Sequence, residues 1–137
     1  MALPKQKFRE LVFQLLFSHD VMNLIEDATL PLMMSQVSAS IQDAHRGSDL
    51  VKRIVEHKEE IDAVIEKASE TYEFDRIQRA ELNILRLGVF EILHDDNIPV
   101  KVAISEAVRL CRKFSTPESS SFINAVLDSV RIEYEDS

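Results

Sequence analysis

Four cations lie close together in this chain: Lys101, Arg109, Arg112 and Lys113, running directly into Phe114 and the serine-rich break "STPESSS". Residues of these types suit one kind of chemistry. Basic side chains neutralise phosphates, aromatic planes receive splayed bases, and a helix start offers free backbone N–H groups to an anion. Single-stranded RNA is held by that combination. Lys101, Arg109 and Arg112 fall eight and eleven residues apart, so on a helix they are expected to share one face. Ser119 and the amides around it are expected to meet a phosphate at the next helix start. A second basic island, Lys5, Lys7 and Arg9, precedes Phe17, another candidate stacking platform. The plainer reading stays open beside this one. A basic stripe is also what a solvated helix face carries, Phe114 also continues an apolar stripe, and a serine cluster also caps helices.

The charge distribution sharpens the question. The 137 residues carry a formal charge of -8. Residues 1–19 nevertheless hold three basic residues against one acidic, and residues 99–117 hold four against one. Screening limits the reach of the remaining acidic groups to about 8 Å at physiological salt, so an acidic protein with two basic islands can still bind a polyanion locally.

Other chemistries find little support. Glu91 and His94 form a single Glu-x-x-His, whereas a carboxylate-bridged di-iron site needs two such pairs and further carboxylates. His19, His45 and His57 have no metal-ligand spacing. Cys111 lies on an apolar stripe and reads as a small buried residue. There is no phosphate-binding glycine loop and no nucleophile elbow. Neither an enzyme nor a cofactor is expected.

The elements that must position these residues are helical. Glycine occurs twice and proline four times, too few for a sandwich or barrel of many tight turns. Apolar residues recur at helical spacing in segments at about 5–19, 29–45, 49–57, 59–70, 76–94, 99–114 and 119–133. In the first, Phe8, Leu11, Val12, Leu15 and Leu16 point inward; in the second, Leu32, Val37 and Ile41 do. Gly47 and Ser48 mark an expected break. Val51, Ile54, Val55, Ile61, Val64 and Ile65 are core candidates of the next two helices. Asp75 and Gln78 have the spacing of a capping pair. The helix they open is apolar on nearly every face from Leu82 onward, which predicts the hub of a bundle, with Gly88 admitting a neighbouring helix closely. Pro99 begins the following helix, whose inward stripe is Val100, Ala103, Ile104, Ala107, Cys111 and Phe114. Phe122, Ile123, Val126 and Val130 face inward in the last.

A lone cysteine excludes an intrachain disulfide and fits a reducing compartment. Lys5, Lys7 and Arg9 before "LVFQLLF" mimic the start of a signal peptide, but Glu10 and Gln14 interrupt it and no small-residue cleavage site follows. No stretch approaches the roughly 18–20 apolar residues of a membrane span. A cytoplasmic protein without membrane contact is expected.

Three motifs now stand in order: "RAELNILRLGVFEIL", "IPVKVAISEAVRLCRKF" and "SSSFINAVLD". Together they resemble the transcription antitermination factor NusB family, whose pattern has an ILRLA-YEL helix, a P-x-K-V-A-I-N-E-A-V-x-L-A-K-x-F helix and an S-x-K-F-V-N-G-V-L-D helix. The first half agrees more loosely, through a basic amphipathic helix ending in "LLFSHD". The resemblance implies an all-α fold of about seven helices, with residues 1–137 forming a single RNA-binding domain of two packed subdomains, about 1–71 and 72–137. It implies a non-catalytic role: with the small-subunit ribosomal protein NusE, such proteins bind the boxA element of ribosomal RNA leader transcripts and keep RNA polymerase processive. Carried over by position, it adds Phe122 to the RNA-binding candidates and makes Glu81 a candidate contact for the basic ribosomal protein. Ser105, Ser115, Ser121 and Ala125 depart from the family's usual asparagine, glycine, lysine and glycine, which implies weaker RNA affinity for the isolated protein. Relatives occur fused to a methyltransferase, for which these 137 residues leave no room. Some relatives self-associate, so a homodimer, or a helical interaction module without RNA binding, is the competing expectation.

Overall fold

The computed structural model describes residues 3–22, 40–69 and 72–135. Among the described residues there are six α-helices and no strand: α1 (Lys5–Met22), α2 (Ile41–Glu56), α3 (Lys58–Ala68), α4 (Arg79–His94), α5 (Val100–Phe114) and α6 (Ser120–Glu135). Two short 3-10 turns, Phe74–Arg76 and Pro117–Ser119, lead into α4 and α6. The all-α expectation holds. The expected helix at 29–45, with Leu32 and Val37, lies largely outside the described residues.

The chain divides into two compact units, Met1–Glu56 and His57–Ser137. The boundary falls earlier than the expected one near residue 71, because α3 packs against α4 and α6. In the first unit α1 buries Leu11, Val12, Phe13, Leu15 and Leu16, and α2 answers with Ala44, Val51 and Ile54. Gly47 and Ser48 do not break the chain; α2 runs through both. A Cβ on Gly47 would stand 3.2 Å from Leu15 Cδ1 and 3.5 Å from Leu11 Cδ2. The glycine therefore serves close helix approach, a use that sequence punctuation does not distinguish from a stop. The start of α2 is fixed by a reciprocal cap: the Asp43 amide donates to Ser40 Oγ at 3.1 Å, and the Ser40 amide donates to Asp43 Oδ2 at 3.4 Å. Ile41, expected inward, sits in that first turn and is 67% exposed.

In the second unit α4 is the hub. Every residue from Glu81 to Glu91 is buried, and the helix packs against α3, α5 and α6. Its start comes at Arg79, because Phe74–Arg76 closes as a 3-10 turn and Ile77 then extends to bury its side chain. Gln78 caps the helix through its backbone, with no side-chain capping bond, so the Asp75–Gln78 pair does not open it. A Cβ on Gly88 would stand 2.9 Å from Leu127 Cδ1, so the expected close approach is real and α6 makes it. Polar groups also fix the hub. Arg86 grips Asp62 on α3 through two bonds, 2.8 Å from Nε and 2.9 Å from Nη2, and donates to Asn83 Oδ1 at 3.2 Å. A bidentate pair of this kind fixes direction as well as distance. The buried stripe of α5 is Ala103, Ile104, Ala107, Leu110 and Cys111, and that of α6 is Ile123, Val126, Leu127 and Val130.

Candidate nucleic-acid interface

The end of α5 and the loop after it form the centre of the candidate site in the second unit. Arg112 and Lys113 occupy the last turn of α5 and are exposed. Cations there complement the negative end of the helix dipole. Phe114 follows, half-buried. The Lys113 ammonium lies 5.7 Å from its ring centre. Phe122, in the first turn of α6, is also half-buried, and its ring lies 5.1 Å from that of Tyr72. Both phenylalanines therefore keep part of a face outside the core.

The loop is held from below by Glu81. This carboxylate is 7% exposed and sits in the first turn of α4, where a negative charge is favoured. It accepts the Ser115 hydroxyl at 2.8 Å and the Ser119 hydroxyl at 3.1 Å. Thr116 caps the intervening turn by accepting the Ser119 amide at 3.3 Å. Two expectations change here. Glu81 does not face outward toward a partner; its side chain is turned into the unit as the anchor of the loop. Ser119 does not offer its hydroxyl and amide outward, since both are engaged within the loop.

Arg109 also departs from its expected place. Eight residues at 100° each put it roughly 80° round α5 from Lys101, and its Nε donates to Glu106 at 3.1 Å. Lys101 and Arg112 stay on the common face; Arg109 belongs beside it. Cys111 lies beneath. Burial pushes its thiol up, with the Glu81 charge adding to the effect, which favours the protonated form at neutral pH.

Lys5, Lys7, Arg9 and Phe17 belong to α1 in the first unit. Lys5 and Lys7 are exposed and Arg9 is partly so. Lys7 reaches Glu10 at 3.7 Å. The Phe17 ring is half-buried, 6.0 Å from that of Phe13.

Sequence reasoning passed over Asp128 and Arg131, and met Ser105 and Ser121 only as departures from the family's pattern. Ser105, Asp128 and Arg131 line a hollow with Lys101, and Ser121 lines the next one with Arg112. Asn124 borders both. Their spacing carried the signal, since 101, 105, 108 and 112 share one face of α5 and 124, 128 and 131 share one face of α6. Of the Glu91–His94 pair, His94 Nε2 meets Glu60 at 2.6 Å and its ring lies 4.3 Å from that of His57.

The chain matches known proteins along nearly its whole length. The family model described as the NusB family matches residues 6–131. The transcription antitermination protein NusB of Chlamydia pneumoniae is 36% identical over 127 residues, covering 93% of this chain and 79% of that protein. Its counterpart in Acetivibrio thermocellus is 36% identical over 128 residues, covering 93% and 88%. Among solved structures, T. maritima NusB superposes with a TM-score of 0.79 at 27% identity, covering 97% of this chain and 94% of that one. A chain from a complex of antitermination factors NusB and NusE with double-stranded RNA superposes with a TM-score of 0.79 at 25% identity, covering 95% and 97%. With the motifs, the helical order and these matches in agreement, the chain belongs to the NusB family of transcription antitermination proteins.

Proposed function

We propose that this chain is the RNA-binding subunit of a cytoplasmic antitermination assembly. In this reading it binds a boxA-like single strand of ribosomal RNA leader transcripts together with a NusE-type small-subunit ribosomal protein. The pair then acts on RNA polymerase during ribosomal transcription, with no catalytic step. The whole chain works as one RNA-binding domain.

The observation that carries the reading is the exposed basic end of α5, which runs straight into a loop that Glu81 fixes from within. Arg112 and Lys113 stand exposed on the last turn before that loop, within reach of a phosphate. Lys101 extends the charge along α5, and Arg109 adds to the field from beside it. Phe114 and Phe122 each keep part of a ring accessible for a base. Lys5, Lys7, Arg9 and Phe17 supply the same residue types from α1. The relation of other family members to NusE and RNA supports the choice of partners.

The test is a titration of labelled boxA-like RNA with the protein and its ribosomal-protein partner, repeated with Arg112→Ala and Lys113→Ala. Each lost phosphate contact should weaken binding on every sequence alike and flatten the salt slope by about 0.7. Slopes unchanged in both variants would remove the basic end of α5 from the interface. Partner binding without RNA binding would instead favour a helical interaction module or a homodimer.

A further inference from the structure

Two hollows follow one another along the seam between α5 and α6. Lys101, Ser105, Asp128 and Arg131 line the first, while Arg112, Ser120 and Ser121 line the second. Asn124 lines both, so the two hollows adjoin at that residue and are taken together as the groove. At 1.5 Å per residue, the stretch from Lys101 to Arg112 runs roughly 16 Å. That is room for about four or five nucleotides at a stacked spacing of about 3.4 Å.

The chemistry of the lining selects an occupant. Three cations stand against one carboxylate, Asp128, which accepts Arg131 Nε at 2.8 Å. The walls therefore carry net positive charge on an acidic protein. Among the described residues, the floor holds Ile104 and Val108 as apolar side chains and no aromatic anchor of the kind that centres a protein interface. Asn124, exposed at the midpoint, presents an amide that can both donate and accept. Ser105 gives its proton to the Val102 carbonyl at 3.2 Å, so its oxygen is left as an acceptor. An acceptor and a mixed donor–acceptor between cations suit alternating phosphates and ribose 2′-hydroxyls, the group by which a protein distinguishes RNA from DNA.

We propose that this groove carries the ribose–phosphate backbone of the bound RNA, with phosphates on Lys101 and Arg112, 2′-hydroxyls on Asn124 and Ser105, and Asp128 holding the affinity down. The proposal rests on the RNA-binding reading above and extends the contact from the end of α5 along its length. Asp128 gives it a signature that a merely structural seam lacks, because removing that charge should strengthen binding while removing Lys101 weakens it.

The experiment uses the full chain with its ribosomal-protein partner and fluorescently labelled boxA-like RNA, alongside the same RNA with 2′-deoxy substitutions. Asp128→Asn should bind up to roughly fivefold tighter at low salt, the scale of one exposed charge pair, and Lys101→Ala weaker with a salt slope flatter by about 0.7. Wild type should prefer the ribose strand several-fold, and Asn124→Ala should erase most of that preference. All three side chains are at least partly exposed, and a matched thermal midpoint confirms that each variant is folded. If Asp128→Asn and Asn124→Ala both behave as wild type while Lys113→Ala loses affinity, the groove is not the path and the RNA-binding reading stands. If the variants alter affinity for the ribosomal protein alone, the groove belongs to that partner and the proposal fails. If the wild-type complex binds no RNA, both readings fall together.

Discussion

Removing the Glu81 carboxylate should loosen the loop that presents the basic end of α5. The carboxylate accepts two hydroxyls, from Ser115 at 2.8 Å and Ser119 at 3.1 Å. Hydrogen bonds to a charged acceptor contribute a net 1.5–3 kcal/mol or so. Both serines are partly exposed and can rehydrate, so the low end applies to each, about 1.5 kcal/mol. The first-turn position of Glu81 adds ~0.3–1 kcal/mol of dipole interaction, and alanine's better helix propensity returns a few tenths. Glu81→Ala should therefore destabilise the protein by roughly 3 kcal/mol. Urea unfolding measures this directly. A cycle with Ser119→Ala should show the two effects to be coupled by about 1 kcal/mol or more, since one bond joins them. The Glu81→Ala variant, held folded by low temperature, should also bind RNA more weakly. A loss below about 0.5 kcal/mol, or strict additivity with Ser119→Ala, would refute the view of Glu81 as the loop's anchor. Retained stability with lost affinity for the ribosomal protein would restore the outward role suggested by sequence.

Three further outcomes are expected. Burial pushes the Asp43 carboxyl up, but hydrogen bonds from the Ser40 hydroxyl and the Leu3 and Ser40 amides, with Arg46 beside it, outweigh this and hold it below the ordinary range. A depressed carboxyl stabilises the fold above its unfolded value of about 3.9 and loses that contribution as pH falls through the lower folded value. The stability gap between wild type and Asp43→Asn should therefore shrink below about pH 4, and a gap independent of pH down to acid unfolding would contradict this. Cys111, buried with its thiol pushed up, should react with a thiol reagent at neutral pH only after denaturation, and rapid labelling of the native protein would show the thiol to be accessible. Phe114→Leu keeps most of the apolar volume and removes the large ring face. It should lower RNA affinity by ~1–3 kcal/mol with little change in stability if the ring stacks on a base, whereas lost stability with unchanged affinity would assign Phe114 to the core.

The hub helix was legible because Leu82 to Phe90 is apolar on nearly every face, a pattern that only a helix buried on several sides satisfies. The cationic end of α5 was equally plain. Other features were hidden by what a residue type alone does not disclose. Gly47 looks like a stop, yet it makes room for Leu15 and Leu11, and only the partner helix reveals that. Ile41 looks like a core residue, but the cap between Ser40 and Asp43 sets the phase of α2 and turns it outward. Glu81 looks like a surface acid because acids usually are; its two serine partners lie 34 and 38 residues away, a distance that periodicity does not span. Arg109 was grouped with Lys101 and Arg112 on spacing, but eight residues leave it roughly 80° round the helix from Lys101, where it meets Glu106. The hollows beside them are lined from two separate helices, and their half-patterns came together only when α5 and α6 were laid side by side.

The central claim is that local basic surface on this acidic chain binds single-stranded RNA. Titration of boxA-like RNA with the purified protein, with and without a NusE-type ribosomal protein, at several salt concentrations tests it most directly. Binding should strengthen with the partner present, and its logarithm should fall linearly with the logarithm of salt, by about 0.7 for each phosphate contacted. Absence of salt-dependent binding both with and without the partner would contradict the account.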